Sequence, residues 1–142
     1  MNPKIWGSTA WDFLHYVTLA YPINPTEVDK QNYYDFFQSI KNVLPCSMCR
    51  NNLKKHLDKY PLSASALENR STLVKWVIDL HNIVNYEIGK PMLTYDEAYT
   101  KLDKLSKYKK PNKYVVPSII TIVVIIAILI LIIVYIHARS KK

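Results

Sequence analysis

Apolar side chains recur every three or four residues along most of the chain, and no stretch alternates as a half-buried strand would. The clearest such segment begins at Ser71, a predicted N-cap, and ends at the turn formed by residues 89–91. Its apolar face consists of Leu73, Trp76, Val77, Leu80, Val84 and Ile88. This periodicity, together with only two glycines in 142 residues, predicts an all-α protein.

Four shorter helices are predicted around this one from their start signals. Ser8 or Thr9 caps the first, Thr26 opens the second, Cys46 begins the third after Pro45, and Thr94 with Glu97 forms a capping box for a short fifth. The apolar face of the first helix consists of Trp11, Leu14, His15, Thr18 and Leu19. The expected fold is therefore a four-helix bundle with a short fifth helix.

A continuous apolar run occupies residues 115–136 and contains no charged side chain. At about 1.5 Å of rise per residue, a helix of this length crosses the hydrocarbon core of a bilayer. A buried core helix of a soluble domain is the alternative, but such a helix usually keeps a polar face, and this run has none. We therefore predict one C-terminal transmembrane helix.

The net charge of +8 is confined to the end of the chain. Residues 1–100 balance ten Lys and Arg against ten Asp and Glu, whereas residues 101–142 carry nine basic side chains against Asp103 alone. Because these charges flank the apolar run, they fit lipid headgroups better than a nucleic acid. The larger basic flank precedes the run, so the positive-inside rule predicts a tail-anchored protein with its folded domain in the cytosol. The N-terminal segment has no apolar core of the kind found in signal peptides, so no secretory signal is predicted.

The chain divides, on this reading, into four parts. Residues 1–100 form the folded domain, residues 101–114 a basic juxtamembrane linker, residues 115–136 the transmembrane helix and residues 137–142 a short basic tail.

The two cysteines, Cys46 and Cys49, lie at the predicted start of the third helix. A helix N-terminus favours a thiolate, and two intervening residues allow a disulfide across one turn. Structural zinc needs about four ligands, and the histidines at positions 15, 56, 81 and 137 show no paired spacing, so no metal is predicted. A thioredoxin-like site needs a preceding strand, and a structural disulfide would be unstable in a reducing cytosol. The pair is interpreted as a redox site that needs an electron acceptor.

No GxGxxG fingerprint is present, so a Rossmann-type dinucleotide site is not predicted. Three other motifs indicate a candidate electron acceptor. They are, in chain order, Trp6-Gly7-x-x-x-Trp11-x-x-Leu14-His15, Pro45-Cys46-x-x-Cys49 and Trp76-x4-His81-Asn82-x-Val84-Asn85-x3-Gly89-Lys90-Pro91. With these motifs the sequence resembles, over about residues 3–100, the Erv/ALR family of FAD-linked sulfhydryl oxidases. Its opening Met-Asn-Pro-Lys-x-Trp-Gly and its few cysteines are most similar to the short members encoded by large cytoplasmic DNA viruses.

The resemblance implies a homodimeric helical bundle that binds FAD. The cofactor-binding residues that it implies are Gly7, Trp11, His15, Trp76, His81, Asn82, Asn85 and Lys90. It also implies that Cys49 lies beside the isoalloxazine while Cys46 faces a protein dithiol substrate. Electrons would then pass from the cysteine pair through FAD to O2, which becomes H2O2.

The sequence departs from the family pattern at several places. Gly7-Ser8 replaces a common Gly-Arg, Leu44 replaces an aromatic residue before Pro45, and Tyr99 or Leu102 stands where many members have a C-terminal aromatic. The second, shuttle cysteine pair of the family has no counterpart here, so a substrate would dock directly at Cys46. The resemblance then favours a small thioredoxin-like carrier as substrate, in a viral pathway at a virion or host membrane. The alternatives are a tail-anchored, non-enzymatic helical adaptor and a zinc- or redox-regulated scaffold.

Overall fold

The computed structural model describes residues 1–107 and 115–140. These ranges contain six helices and no strand: α1 (Pro3–Ala20), α2 (Glu27–Val43), α3 (Ser47–Lys59), α4 (Arg70–Glu87), α5 (Tyr95–Ser106) and α6 (Val115–Ser140). They divide into two compact units, Met1–Lys107 and Tyr108–Lys142. The prediction of an all-α bundle with a short fifth helix and a separate apolar helix is confirmed.

Three of the predicted helix starts are confirmed by their capping contacts. The Thr26 side chain accepts from the Asp29 N–H and the Asp29 carboxylate from the Thr26 N–H, which closes a capping box at α2. Thr94 and Glu97 form the same box at α5. At α3 the capping atom is the Cys46 sulfur, so the redox motif itself begins the helix.

Two predicted N-caps are wrong. α1 begins at Pro3, where the Asn2 side chain accepts from the Lys4 N–H at 3.0 Å and proline occupies the first helical turn. α4 begins at Arg70 because Asn69, rather than Ser71, is the N-cap. The Asn69 side chain accepts from the Thr72 N–H, and the Thr72 hydroxyl oxygen accepts from the Asn69 N–H. The earlier start of α1 places Gly7 inside the helix, on the same face as Trp11 and His15 at four-residue spacing.

The main core lies between α1, α2, α3 and α4. Trp76, Leu73 and Val77 of α4 are almost fully buried there and pack with Phe37 of α2. Tyr21, just after α1, is completely buried, and its hydroxyl donates to the Leu67 carbonyl at 2.8 Å. The packing of α1 against α4 brings their remaining side chains face to face.

A second, smaller cluster joins α5 to α4. Val74 and Ile78 are buried against Ala98 and Leu102, although the sequence pattern had not assigned either α4 residue to a face. Leu102 is therefore a packing residue, whereas Tyr99 is exposed. α5 continues through Ser106, past the predicted domain end at residue 100, and residues 108–114 of the predicted linker lie outside the described part of the chain.

The apolar helix α6 forms the second unit. Its stretch Ile120–Ser140 has a mean hydropathy of 3.2, and none of it is buried within the chain. By length and composition this helix can cross a membrane. A soluble core helix of this composition would be buried, so the structure agrees with the predicted span.

Candidate active site

The cysteine pair occupies the first turn of α3. Cys46 has an extended backbone (φ −120°, ψ 120°), and its sulfur accepts a hydrogen bond from the Cys49 N–H at 3.2 Å. The two residues form a disulfide, with their Cα atoms 5.1 Å apart. No acidic side chain occurs in the first turn of α3. When the disulfide is reduced, the N–H group and the helix dipole both stabilise a thiolate on Cys46.

The surroundings of the pair come from three helices. Arg50 of α3 donates from its guanidinium to the Leu44 carbonyl, which fixes the link between α2 and α3. The Met1 nitrogen lies 3.1 Å from the Pro45 carbonyl oxygen, so the start of α1 lies beside the residue that precedes the pair. Cys46 is 8% exposed, and Cys49 is partly exposed.

A cluster of three rings lies where α1 packs on α4. The Trp11 ring is stacked on His81, with centroids 4.1 Å apart and planes within 5° of parallel. His15 Nε2 lies 3.0 Å from His81 Nδ1, a hydrogen bond whose donor depends on the tautomers. The structure thus brings together three of the residues that the resemblance assigned to the cofactor.

Both histidines in this cluster are neutral at physiological pH. Burial, with a further contribution from the positive charge of Lys101, lowers the pKa of His15 to about 4. Burial likewise lowers the pKa of His81 to about 3, aided by His15, Lys101 and Lys90. Each ring therefore has one donor and one acceptor nitrogen, which suits hydrogen bonding to a polar ligand.

Two buried nitrogens near this face are unpaired. Nδ1 of His15 and Nε1 of Trp6 have no hydrogen-bond partner among the described residues. Such groups are uncommon in folded proteins because each costs about 1–3 kcal/mol. Beside them on α1, a Cβ placed on Gly7 would meet no atom within 4 Å, so the backbone there is open to close approach.

The remaining candidate residues are less closely grouped. The Asn82 side-chain amide binds the segment that follows α4: it donates to the Leu93 carbonyl at 2.8 Å and accepts from the Leu93 N–H at 3.0 Å. Asn85 accepts from the Lys90 N–H through its backbone carbonyl at 2.8 Å, and Lys90 is exposed. Gly89 permits this turn with a φ of 68°.

Trp76 lies apart from the ring cluster, in the main core. It makes edge contact with Phe37 and stacks on Tyr60, and its Nε1–H donates to the Pro61 carbonyl at 3.2 Å. These contacts engage the indole donor and place two aromatic rings against Trp76. The cofactor role that the resemblance implied for Trp76 stays a prediction, and we expect these packing contacts to be its main role instead.

Two cavities adjoin α4. A small one of about 20 Å³ lies against the two histidines and is bounded also by Asp12 and Lys101. A wider cleft of about 520 Å³ opens on another face of α4, between Asp79, Asn82 and Met92 among others. Lys101 was missed by the sequence reasoning because it belongs to a lysine-rich stretch that read as linker, and no local pattern signals that α5 places it beside His15.

These residues fit a flavin dinucleotide. Trp11 and His81 would offer ring faces to the cofactor, and the unpaired nitrogens of His15 and Trp6 would offer hydrogen bonds. The open backbone at Gly7 would admit the cofactor, and Lys101 would offset the charge of its phosphates. The cysteine pair lies at the same end of α1 as Gly7, through the contact of Met1 with Pro45. Among the described residues, no three His, Cys, Asp or Glu side chains converge as metal ligands would.

A helical bundle with a redox cysteine pair at the start of one helix and a Trp–His–His cluster between two others defines a class of α-helical thiol redox proteins. The Erv1 / Alr family matches residues 8–107, and the chain belongs to that family. It is 54% identical over 114 residues to a probable FAD-linked sulfhydryl oxidase of Acanthamoeba polyphaga mimivirus, over 80% of each chain. It is 28% identical to a FAD-linked sulfhydryl oxidase of African swine fever virus, over 65% of this chain and 75% of the relative.

The fold is shared with a solved structure of the same family. The crystal structure of the FAD binding domain of Erv1 from Saccharomyces cerevisiae matches with a TM-score of 0.66 at 26% sequence identity. The match covers 73% of this chain and 96% of that domain. This agrees with the fold that the sequence resemblance implied.

Proposed function

We propose that this protein is an FAD-linked sulfhydryl oxidase that forms disulfides in protein substrates. The observation that carries the proposal is the Cys46–Cys49 disulfide at the N-terminus of α3, in a chain of the Erv1 / Alr family. The relatives named as FAD-linked sulfhydryl oxidases support both the reaction and the cofactor.

The first half of the reaction needs only the cysteine pair and the substrate. A substrate thiolate attacks the Cys46 sulfur, the Cys46–Cys49 bond breaks, and the electron pair leaves on Cys49 as a thiolate. The second substrate thiolate then attacks the first substrate sulfur and releases Cys46. The substrate loses two electrons and two protons and gains a disulfide, and the pair becomes a dithiol.

The cofactor site is proposed along the facing surfaces of α1 and α4. A flavin held there would supply an acceptor for the two electrons of the dithiol, and O2 would be their final acceptor, with H2O2 as the product. Trp11, His15 and His81 would hold the rings of the cofactor, and Lys90 and Lys101 would neutralise its phosphates. Asn82 keeps the segment after α4 in place, and Gly7 allows the cofactor to approach α1.

We also propose a substrate partner, a membrane location and a dimeric state for this protein. The two cysteines of this sequence leave no internal relay, so we propose that a protein dithiol, such as a small thioredoxin-like carrier, meets Cys46 directly. α6 would hold the oxidase domain at a virion or host membrane, on its cytosolic side, and two copies would form a homodimer. The exposed Pro45 and Met48 beside the pair leave room for a partner surface.

The proposal is tested by trapping the mixed disulfide. In Cys49→Ser, Cys46 is first activated as a mixed disulfide with an aromatic thiol. A protein substrate that keeps only its attacking cysteine should then displace the aromatic thiol and accumulate as a stable adduct on Cys46, whereas Cys46→Ser should give none. Both variants should keep bound FAD and lose turnover of dithiols and production of H2O2. Turnover that survives in either variant would overturn the proposed role of the pair, and adducts on Cys49 alone would reverse the two roles.

A further inference from the structure

The surface around the cysteine pair is apolar and basic at once. Four large apolar side chains around it are strongly exposed: Met1 75%, Ile5 75%, Val43 73% and Met48 64%. Met48 lies between the cysteines, Val43 ends α2 just before Pro45, and the contact of Met1 with Pro45 brings the start of α1 alongside. We call these residues, with Lys4, Lys41 and Arg50, the redox face.

The charged side chains of the redox face are all positive. Lys4 lies in the first turn of α1, Lys41 in the last turn of α2 and Arg50 in the first turn of α3. The first turns of α1 and α3 contain no acidic residue, so neither helix dipole is neutralised there. Lys41 offsets the opposite partial charge at the end of α2.

Acidic side chains begin only further away along each helix. The nearest in sequence are Asp12 in α1, Asp35 in α2 and Asp58 in α3. At about 1.5 Å per residue, each lies roughly 12 Å or more along its helix from the end that forms the redox face. That distance exceeds the Debye length of about 8 Å at physiological ionic strength, so these three carboxylates do little to offset the positive charges of the redox face.

We propose that the redox face selects protein dithiols whose cysteine pair lies on an acidic surface with an apolar centre. Exposed apolar side chains beside a reactive pair give the contact area, and the positive charges steer the encounter. This inference rests on the proposed sulfhydryl oxidase function and concerns which substrates reach Cys46. The thiol–disulfide exchange itself is unchanged.

Synthetic peptides provide the test, with the full FAD-loaded chain in non-ionic detergent micelles. Three peptides share one Cys-x-x-Cys and one leucine and differ only in flanks of Glu, Gln or Lys. Each rate is divided by the rate of the same peptide with a small neutral disulfide, which removes differences in thiol reactivity. We expect kcat/KM to fall in the order Glu, Gln, Lys, with about tenfold or more between the first and last at low salt.

Charge-reversal variants locate the effect. Lys4→Glu and Lys41→Glu should each reduce the preference for the Glu-flanked peptide, while Lys59→Glu, the same change at the far end of α3, should leave it intact. Val43→Ser should raise KM for the leucine-bearing peptide relative to one with serine in its place. High salt should bring the three peptides together.

The possible results distinguish a failure of the docking inference from a failure of the proposed oxidase function. Equal kcat/KM for the three peptides, or a preference for the Lys flanks, overturns the docking inference while turnover of a small neutral dithiol upholds the oxidase. An equal loss with Lys59→Glu overturns the location of the face. No turnover with any dithiol overturns the oxidase proposal and this inference together.

Discussion

His15 and His81 are separated by 66 positions in the chain, yet their ring nitrogens lie 3.0 Å apart. Each is a common core residue when considered alone, and their meaning comes from the pairing of α1 with α4. The hydrogen bond between the two histidines couples the tautomer of one ring to that of the other, and stacking on Trp11 orients the His81 ring. These contacts constrain all three rings without a ligand.

Acid should destabilise this protein through the histidine pair. The pKa values of about 4 and about 3 in the folded chain lie below the ordinary 6.5, so the unfolded state binds protons first as the pH falls. The stability that the neutral pair contributes is complete above pH 6.5 and is lost as the pH drops towards 4.

Urea unfolding of the full chain in detergent at pH 7 and pH 4.5 checks this. The loss of unfolding free energy between the two pH values should be clearly smaller in a His15→Gln, His81→Gln variant, which cannot titrate there. Asp29 and Glu97, whose pKa values are lowered by their Thr26 and Thr94 hydrogen bonds, contribute equally to both proteins. An equal loss in both proteins contradicts the prediction.

Trp11 and Trp76 should respond differently to substitution. Trp11→Ala removes a ring face and should weaken FAD binding by about tenfold, as expected for an aromatic contact. Trp76→Phe removes the donor to Pro61 and should lower the unfolding free energy by about 1–3 kcal/mol while leaving FAD affinity within about threefold.

The FAD affinity of the Trp11 and Trp76 variants is measured by the fluorescence of released FAD, and their unfolding free energy by chemical unfolding. Loss of FAD in Trp76→Phe without loss of stability would instead place Trp76 in the cofactor site.

The sequence alone predicted the aromatic and histidine residues of the cluster, but not every charged side chain that lies beside them. Trp11, His15 and His81 were found because they belong to spaced motifs. Lys101 and Asp12 were not, since they reach the histidine cavity only through the packing of α5 and α1. Nothing local distinguishes Lys101 from the other lysines that follow it.

Among the elements, α5 is held on α4 by an apolar cluster and by one carboxylate. Asp79 of α4 accepts from the Tyr60 hydroxyl at 2.9 Å and from the Tyr95 hydroxyl at 2.9 Å, and so joins the end of α3 to the start of α5. Burial and the hydrogen bond to Asp79 raise the pKa of Tyr60 above its ordinary range. These bonds supplement the small apolar cluster that holds α5.

Asp79→Ala should loosen α5 more than the rest of the bundle. It leaves the Tyr60 hydroxyl without its acceptor, and we expect the unfolding free energy to fall by about 1–3 kcal/mol. Hydrogen exchange should accelerate most in residues 95–106. Tyr95→Phe, which removes one donor from an exposed position, serves as the milder control; uniform acceleration across the bundle would contradict the local role of Asp79.

Helix existence was predictable here, whereas helix starts were predictable only where one cap stood alone. Thr26 and Thr94 each precede an acidic residue three positions later and were found. At α4 the segment Asn69 to Thr72 offers several caps, and the burial of Leu73 and Val74 decides among them. At α1 the Asn2-Pro3 start lay ahead of the apolar periodicity that was used to find the helix.

For the whole molecule, composition alone separated the neutral bundle from the basic, apolar end. α6 shows why: its side chains from Ile120 to Ser140 are exposed, and no packing among the described residues explains their apolarity. We therefore expect the full chain to float with liposomes and to resist alkaline extraction, and a chain ending at Lys107 to remain soluble. A full chain recovered in the soluble fraction would contradict membrane anchoring.

The central claim is that electrons pass from the cysteine pair to a bound flavin. The most direct test is the visible absorption spectrum of the purified chain during anaerobic addition of a dithiol. We expect flavin bands that bleach with two electrons per site and return on exposure to air, and that stay unbleached at low dithiol in Cys46→Ser and Cys49→Ser. A colourless protein, or bleaching at the same dithiol concentration in both variants, would contradict it.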